Sequence, residues 1–428
     1  MGMNILILNI HSSCNAGDAA LTQVAIEQIK NHFPKSCITL IMNDPNSYRG
    51  REQTLLSFLA WVNLTGTHQA MRFLQVVIAG LMAVITKQLV GRSYYTPLAK
   101  GMHQTIHAIL SADIVVCTPG GYLFSYGSGR ALIIMIYSMV LAILAGKPLY
   151  LFPQSIGPFK YKREKFLAHW VLNHARVVMA REPASLQYLR ECRINPERCY
   201  LLPDMAFAFN PASEDAARSW LIEQGVNPDR DRPFLGITVI DWKMQYPGFE
   251  NQEVYEAAIA STVKYFIEHY RGKVFFFPQS YGPSLAEDDR EPAQRIVQRL
   301  SVVHQSTILV KMPLPPDMLK AIFGQMDVFI GTRMHSNIFA LSMGVPVIAI
   351  GYLHKTRGIA QSIGMEDWVI EIKDINSQQL IEQLNSLWDQ RAQIRTHLLR
   401  TMPGIAEQAG QAGEILAKDY LKLTKKRT

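Results

Sequence analysis

The chain has 428 residues, 48% hydrophobic and 18% charged, which excludes a disordered polypeptide and exceeds one ordinary domain, pointing to two of about 200 residues each. Lys and Arg number 43 against 35 Asp and Glu, a net charge of +8 that suits anionic substrates or an anionic membrane surface. No basic stripe interleaved with aromatics runs through the sequence, so nucleic acid is not an expected partner, and Cys14, Cys37, Cys117, Cys192 and Cys199 have neither CxxC nor Cys/His spacing and read as free thiols of a reducing cytoplasm.

The Ile/Leu-rich run Asn4–Ile10 predicts a buried first strand; it lacks the basic flank and cleavage site of a signal peptide. A polar loop with Asn15, Gly17 and Asp18 follows, then helical spacing over Ala19–Phe33 and a second strand over Ile38–Met42. Asn15, Gly17 and Asp18 are turn and helix-capping types at the carboxyl end of a strand, so a capping role and a ligand-lining role both stay open. Residues 44–111 are less regular and contain Met71–Val90, long enough to span a bilayer but carrying Arg72, Gln75, Lys87 and Gln88. A core helix and a helix lying on the membrane surface both fit that stretch, whereas Ala131–Gly146 is too short to span and predicts a buried helix. Between them the strand Asp113–Cys117 leads into Gly120-Gly121, a pair that admits close approach of a ligand or backbone.

Further strands are expected at Pro148–Phe152, with Gln154 and Ser155 in the loop after it, and at Arg176–Ala180, with Arg181 just beyond; Pro203-Asp204 closes the first half. The polar, Pro- and Asp-bearing composition of 209–232, with one short helix, marks a connection between domains at 1–208 and 233–428. In the second half the strand Lys273–Phe277 ends in Pro278-Gln279-Ser280-Tyr281-Gly282-Pro283, matching Pro153-Gln154-Ser155-Ile156-Gly157-Pro158 at five of six positions; duplication, convergent loop geometry and chance recurrence are all open. The C-terminal residues are expected to form helices at Ser377–Leu399 and Ile405–Leu423.

The densest chemistry lies in 327–358. A strand, the loop Gly331–His335, a helix from Ser336 and a second strand compose a unit of a parallel sheet, whose loops fall where open α/β folds bind ligands. Arg333 is placed for bidentate contact with phosphate or carboxylate. His335 opens a helix whose positive end favours the neutral imidazole, able to take a hydroxyl proton or donate to an anion. His354, Lys355 and Arg357 offer further cations, one of them facing solvent; Asp18 and Asp204 are the candidate acids. No HExxH, GxSxG or Walker A string is present, and nothing in the sequence requires a metal or cofactor.

Taken in order, Asn15-x-Gly17-Asp18, Gly120-Gly121, Gln154-Ser155-Ile156-Gly157-Pro158, Arg181-Glu182-x-x-Ser185, Pro203-Asp204 and Gly331-Thr332-Arg333-Met334-His335 with Lys355 beyond resemble the polysaccharide pyruvyltransferase family. The family more often reads Arg-Leu-His where this chain has Arg333-Met334-His335, and its motifs leave residues 55–112 without an assigned role. The resemblance implies an α/β fold similar to the GT-B glycosyltransferases, two Rossmann-like domains facing across a cleft. The N-terminal one takes the acceptor, the C-terminal one the donor, and C-terminal helices cross back. It implies an enzyme that moves a pyruvyl group from phosphoenolpyruvate to sugar hydroxyls as a ketal. Arg181, Arg333, His335 and Lys355 would hold the donor, with His335 and Asp18 as acid/base candidates and Asn15, Gly17, Gly120, Gly121, Gln154, Ser155 and Asp204 in the cleft loops. The acceptor would be a sugar or lipid-linked oligosaccharide, in the cytoplasm or at the inner face of its membrane. A GT-B glycosyltransferase using a nucleotide sugar, and a non-catalytic component of polysaccharide assembly, remain as alternatives.

Overall fold

The computed structural model describes residues 2–64, 68–125, 127, 129–245, 249–300, 304–351 and 354–425, with the side chains at 245, 304 and 354–356 outside that description. They fall into two compact units: 2–13, 21–205 and 408–425 in the first, 14–20 and 206–407 in the second. The units are therefore interleaved in sequence. The loop after the first strand belongs to the second unit, and the last helix, Ala412–Lys425, to the first.

The first unit holds β1 (Asn4–Ser12), β2 (Cys37–Asp44), β3 (Gln53–Leu56), β4 (Ile114–Cys117), β5 (Gly120–Leu123), β6 (Leu149–Ile156), β7 (Val177–Ala180) and β8 (Cys199–Leu201). They make one sheet in the order β3-β2-β1-β4-β6-β7-β8, with β5 attached to β6, and every pairing is parallel. Ile5, Leu6, Ile7, Leu8 and Ile10 are all buried, the unbroken apolar pattern of a central strand covered on both faces. The Arg130–Leu144 helix is a core helix, as its length implied, with Leu132, Ile136, Met139 and Leu141 inside.

The second unit holds β9 (Phe234–Thr238), β10 (Lys273–Phe276), β11 (Thr307–Leu309), β12 (Val328–Gly331), β13 (Val347–Gly351) and β14 (Val369–Glu371), in the all-parallel order β11-β10-β9-β12-β13-β14. Each sheet thus runs outward in both directions from its first strand, the doubly wound arrangement of a Rossmann-like unit.

Several sequence expectations change at this level. Strand β6 continues through Ile156, so Gln154 and Ser155 lie in a buried strand and not in a loop. Residues 209–232 belong to the second unit and do not form a separate connection. They carry the helix Glu214–Glu223, capped by the Ser213 hydroxyl accepting from the Ala216 N–H, and it buries Ala217 and Leu221 within the second unit. Polar surface positions hid that apolar face. Residues 44–111 are mostly helical, at Phe58–Asn63, Gln69–Val90 and His103–Ser111, where nearly continuous apolarity erased the helical period. The helix from Ser377 runs on to Ala409 with Pro403 inside it.

The recurrent string does not mark duplicated strands. Gln154 lies on β6, two strands from the central β1 on the β4 side, whereas Gln279 follows β10, directly beside the central β9 and on the side away from β12. Both strings contain a cis Gly–Pro peptide. Their similarity is local: the first string lies largely within β6 and the second beyond the end of β10, at topologically different strands.

Candidate functional site

The strand order of the second unit reverses between β9 and β12, and the crevice beyond the carboxyl ends of such a pair is where doubly wound sheets take ligands. Residues 331–337 sit there, tied to β9 by hydroxyls. The Thr332 N–H donates to the Thr238 hydroxyl at 3.2 Å, Thr238 and Ser336 share a hydrogen bond of 2.7 Å, and the Ser336 hydroxyl donates to the Arg333 carbonyl at 2.6 Å. Buried Tyr255 bonds the Thr332 hydroxyl at 2.8 Å. These small polar side chains fix the start of the helix Met334–Ser342. Gly331 makes room for it: a Cβ there would stand 1.6 Å from the Asn337 Oδ1.

A second helix begins at the same place. Asn15 caps the helix Ala16–His32, its Oδ1 accepting from the N–H groups of Gly17 at 2.9 Å and Asp18 at 3.3 Å, so the capping reading of this residue is the one observed. The loop pairs with the 278–283 segment: Ala16 N–H donates to the Gln279 carbonyl at 2.9 Å and Tyr281 N–H to the Cys14 carbonyl at 3.0 Å. Gly17 lies against His335. A Cβ on Gly17 would be 2.2 Å from the imidazole Nδ1, so only glycine permits this approach. Two helix N-termini, each contributing a partial positive charge, thus meet at one histidine. Asp18, half-buried, is the next residue in the first turn.

Arg333 is held from the side by Asp289, its Nε donating to Oδ2 at 3.1 Å and its Nη2 to Oδ1 at 2.5 Å. Asp289 is fully buried and also accepts from the Gln279 N–H at 3.1 Å and the Ser280 N–H at 3.0 Å. Burial raises its pKa, opposed by the Arg333 guanidinium and those two N–H groups. One carboxylate therefore fixes both the arginine and the Gln279-Ser280 backbone. Gln279 and Asn337, 1% and 5% exposed, have no hydrogen-bond partner among the described residues for either side-chain amide atom. Leaving such buried groups unpaired costs about 1–3 kcal/mol each, which suits residues awaiting a polar ligand. Sequence reading missed Asp289, Gln279 and Asn337 as site residues. The Asp288-Asp289-Arg290 run and the recurrent Gln-Ser string were the available signals.

The other candidates divide between the units. In the first, the Arg181 side chain is 2% exposed, and it donates to Asp204 at 2.7 Å and to the Ser155 hydroxyl at 2.9 Å, with Glu182 at 3.4 Å. Among the described residues this guanidinium thus meets two carboxylates, Glu182 and the buried Asp204. Ser155 donates to Glu182 at 2.9 Å, while the buried Gln154 Oε1 has no partner among the described residues. Gly120 takes φ +135, a backbone conformation that requires glycine, and Gly121 is exposed. In the second unit Arg357 pairs at the surface with Glu371 at 3.6 Å, while His354 and Lys355 begin the helix His354–Ser362, their side chains outside the described residues.

An α/β protein with two doubly wound parallel sheets and an anion-adapted site at a switch point defines the class, and comparison with known proteins specifies it. Residues 15–354 match the polysaccharide pyruvyl transferase family, and the chain belongs to that family of enzymes. It is 24% identical to the amylovoran biosynthesis protein AmsJ of Erwinia amylovora over 98% of this chain and 99% of that one. Its fold is similar to HepE of Anabaena, solved with UDP and glucose (TM-score 0.58, 14% identity, 98% of this chain and 100% of that one). It is also similar to the UDP-GlcNAc 2-epimerase of Neisseria meningitidis (TM-score 0.58, 12% identity, 98% and 100%). These likenesses are those of the GT-B-type fold.

Proposed function

We propose that this chain transfers the pyruvyl group of phosphoenolpyruvate to two hydroxyls of a sugar, forming a ketal on an exopolysaccharide precursor. The observation that carries the reading is the meeting of two helix N-termini at His335, beside an arginine oriented by Asp289, in a chain of the pyruvyl transferase family. Such a site suits a donor bearing both phosphate and carboxylate. The kinship with AmsJ supports the polymer context.

In the reaction the methylene carbon of the enol takes a proton and C2 becomes electrophilic. One sugar hydroxyl adds to C2, phosphate departs, and a second hydroxyl closes the ring. The two hydroxyl protons end on the methyl group and on phosphate, so the step balances as donor plus diol giving ketal plus inorganic phosphate. Arg333 and the helix termini stabilise the charge on the departing phosphate. His335 donates to that phosphate or moves the proton, Asp18 serves as base toward the acceptor, and Gln279 and Asn337 bind the donor's polar oxygens. Lys355 is retained as a donor-binding residue on the family motif alone. No metal or cofactor enters this scheme.

The test is incubation with phosphoenolpyruvate and lipid-linked glycan from exopolysaccharide-producing cells. Phosphate release matched by a glycan mass gain of one pyruvate less one water is expected. Thermal stabilisation by a UDP- or GDP-sugar and not by phosphoenolpyruvate would overturn the reading in favour of a glycosyltransferase.

A further inference from the structure

The helix Gln69–Val90 is apolar on two faces, and only one is covered. Val76, Ala79 and Ala83 are buried in the first unit. Gly80 admits Tyr137, whose hydroxyl would be 2.4 Å from a Cβ there and donates to the Val77 carbonyl at 3.1 Å. On the opposite face Met71, Leu74, Ile78, Met82, Ile85 and Leu89 are between 37% and 80% exposed. Their spacing of three or four residues makes one continuous stripe, roughly 27 Å long at 1.5 Å per residue. Of 21 large hydrophobic side chains exposed among the described residues, 10 lie between Leu64 and Leu98, so the exposure is concentrated and not scattered.

The charge flanking the stripe in sequence is one-sided. From Gln53 to Ala112 the sequence has no Asp or Glu, while it has Arg72, Lys87, Arg92 and Lys100. The helix alone among the described residues is long and apolar enough to cross a membrane by length and composition. Its polar residues are nevertheless spent on the first unit: Arg72 donates to the Trp61 carbonyl at 2.9 Å, Gln88 to the Leu144 carbonyl at 2.9 Å, and Lys87 to the Leu110 carbonyl. A span would break these bonds and strip the buried face. A helix lying flat would keep them and bury only the exposed stripe.

We propose that this stripe docks on the surface of a bilayer containing anionic lipid, its apolar side chains entering the headgroup boundary and the neighbouring cations meeting lipid phosphates. The inference stands on this helix and not on the reaction, so vesicle binding by a protein without pyruvyl transfer would leave it intact.

Co-sedimentation of the full chain with vesicles decides it, using phosphatidylcholine alone and phosphatidylcholine with a quarter phosphatidylglycerol. Binding at least about tenfold tighter to the anionic vesicles, weakening as salt is raised, is expected. The double change Ile78→Ser with Ile85→Ser should reduce binding at least about tenfold. Arg92→Glu with Lys100→Glu, which leaves the stripe intact, should abolish only the preference for anionic lipid. All four side chains are exposed, and thermal melts report on folding. Absence of vesicle binding, or binding unchanged by the serine pair, overturns the proposal. So does a two-chain mass by light scattering that the serine pair reduces to one chain while vesicles stay unbound, since the stripe then joins copies of this chain.

Discussion

Arg181 and Arg333 occupy like positions, each just beyond a strand of a doubly wound sheet and each ion-paired, yet their surroundings give them different work. Arg181 is sealed, with two carboxylates to one guanidinium and a side chain 2% exposed. Arg333 pairs with Asp289, is 15% exposed, and stands at the start of a helix that abuts the start of another. A strand-end arginine is therefore a candidate anion ligand only when the local sum of charge, dipoles included, leaves positive potential to spare. The first unit uses its arginine to hold Glu182 and Asp204 in the core; the second uses its carboxylate to aim an arginine.

The largest test of this contrast falls on the histidine beside Arg333. His335→Ala should lower turnover by about 10²–10⁴ at saturating donor while leaving thermal stability nearly unchanged. Turnover within a few-fold of the parent would remove the second unit's claim to the chemistry. Next, Arg181→Met should cost about 3–5 kcal/mol of folding stability in urea titrations, because it removes the guanidinium from two buried carboxylates. Arg333→Lys keeps the charge but loses the two-point bond to Asp289, so turnover should fall roughly 10²-fold with a smaller stability loss than Arg181→Met. If the two arginine variants exchanged phenotypes, the comparison would be inverted.

Gly17→Ala weighs two opposed effects. Alanine favours a helix by up to about 1 kcal/mol over glycine, but overpacking costs about 1–3 kcal/mol, and the new methyl would stand 2.2 Å from His335 Nδ1. The steric term should win, giving a net loss of stability in melts and roughly 10²-fold lower turnover from the displaced imidazole. A variant more stable than the parent and fully active would show that Gly17 does not seat His335.

Much of this contrast was legible in the sequence. Strand runs such as Asn4–Ile10 and the segment 327–350 announce themselves by unbroken apolarity between turn residues, and the placement of Arg333 and His335 after a strand follows from that reading. What the sequence could not supply was partners. Glu182 adjoins Arg181 in the chain, but Asp204 meets it from 23 positions away and Asp289 reaches Arg333 from 44 positions away. Nor could local pattern reveal that residues 14–20 pack with the second unit, because Asn15, Gly17 and Asp18 read equally as a cap and as a loop lining. The 209–232 segment misled for a related reason: its helix buries only a narrow face, so composition resembled a linker.

A third buried cation gives the smallest and most discriminating test. Lys320, 2% exposed, has only carbonyl and ring partners among the described residues, donating to the Phe209 carbonyl at 2.6 Å with the Phe339 ring 5.8 Å away. Without a carboxylate to offset desolvation, its ammonium pKa is pushed down to about 7. The unfolded chain keeps this proton to the ordinary lysine value near 10.5, so above about pH 7 it binds more protons than the folded chain. Stability should therefore rise with pH across that window, by up to about 1.4 kcal/mol per unit. Cys117 works the other way: burial pushes its thiol to about 12, so ionisation of the unfolded thiol lowers folded stability once pH passes about 8.5. Urea titrations between about pH 7 and 8.5 isolate the lysine. Lys320→Met should flatten the rise and add stability at pH 7, and an unchanged slope would mean that Lys320 remains charged in the folded state.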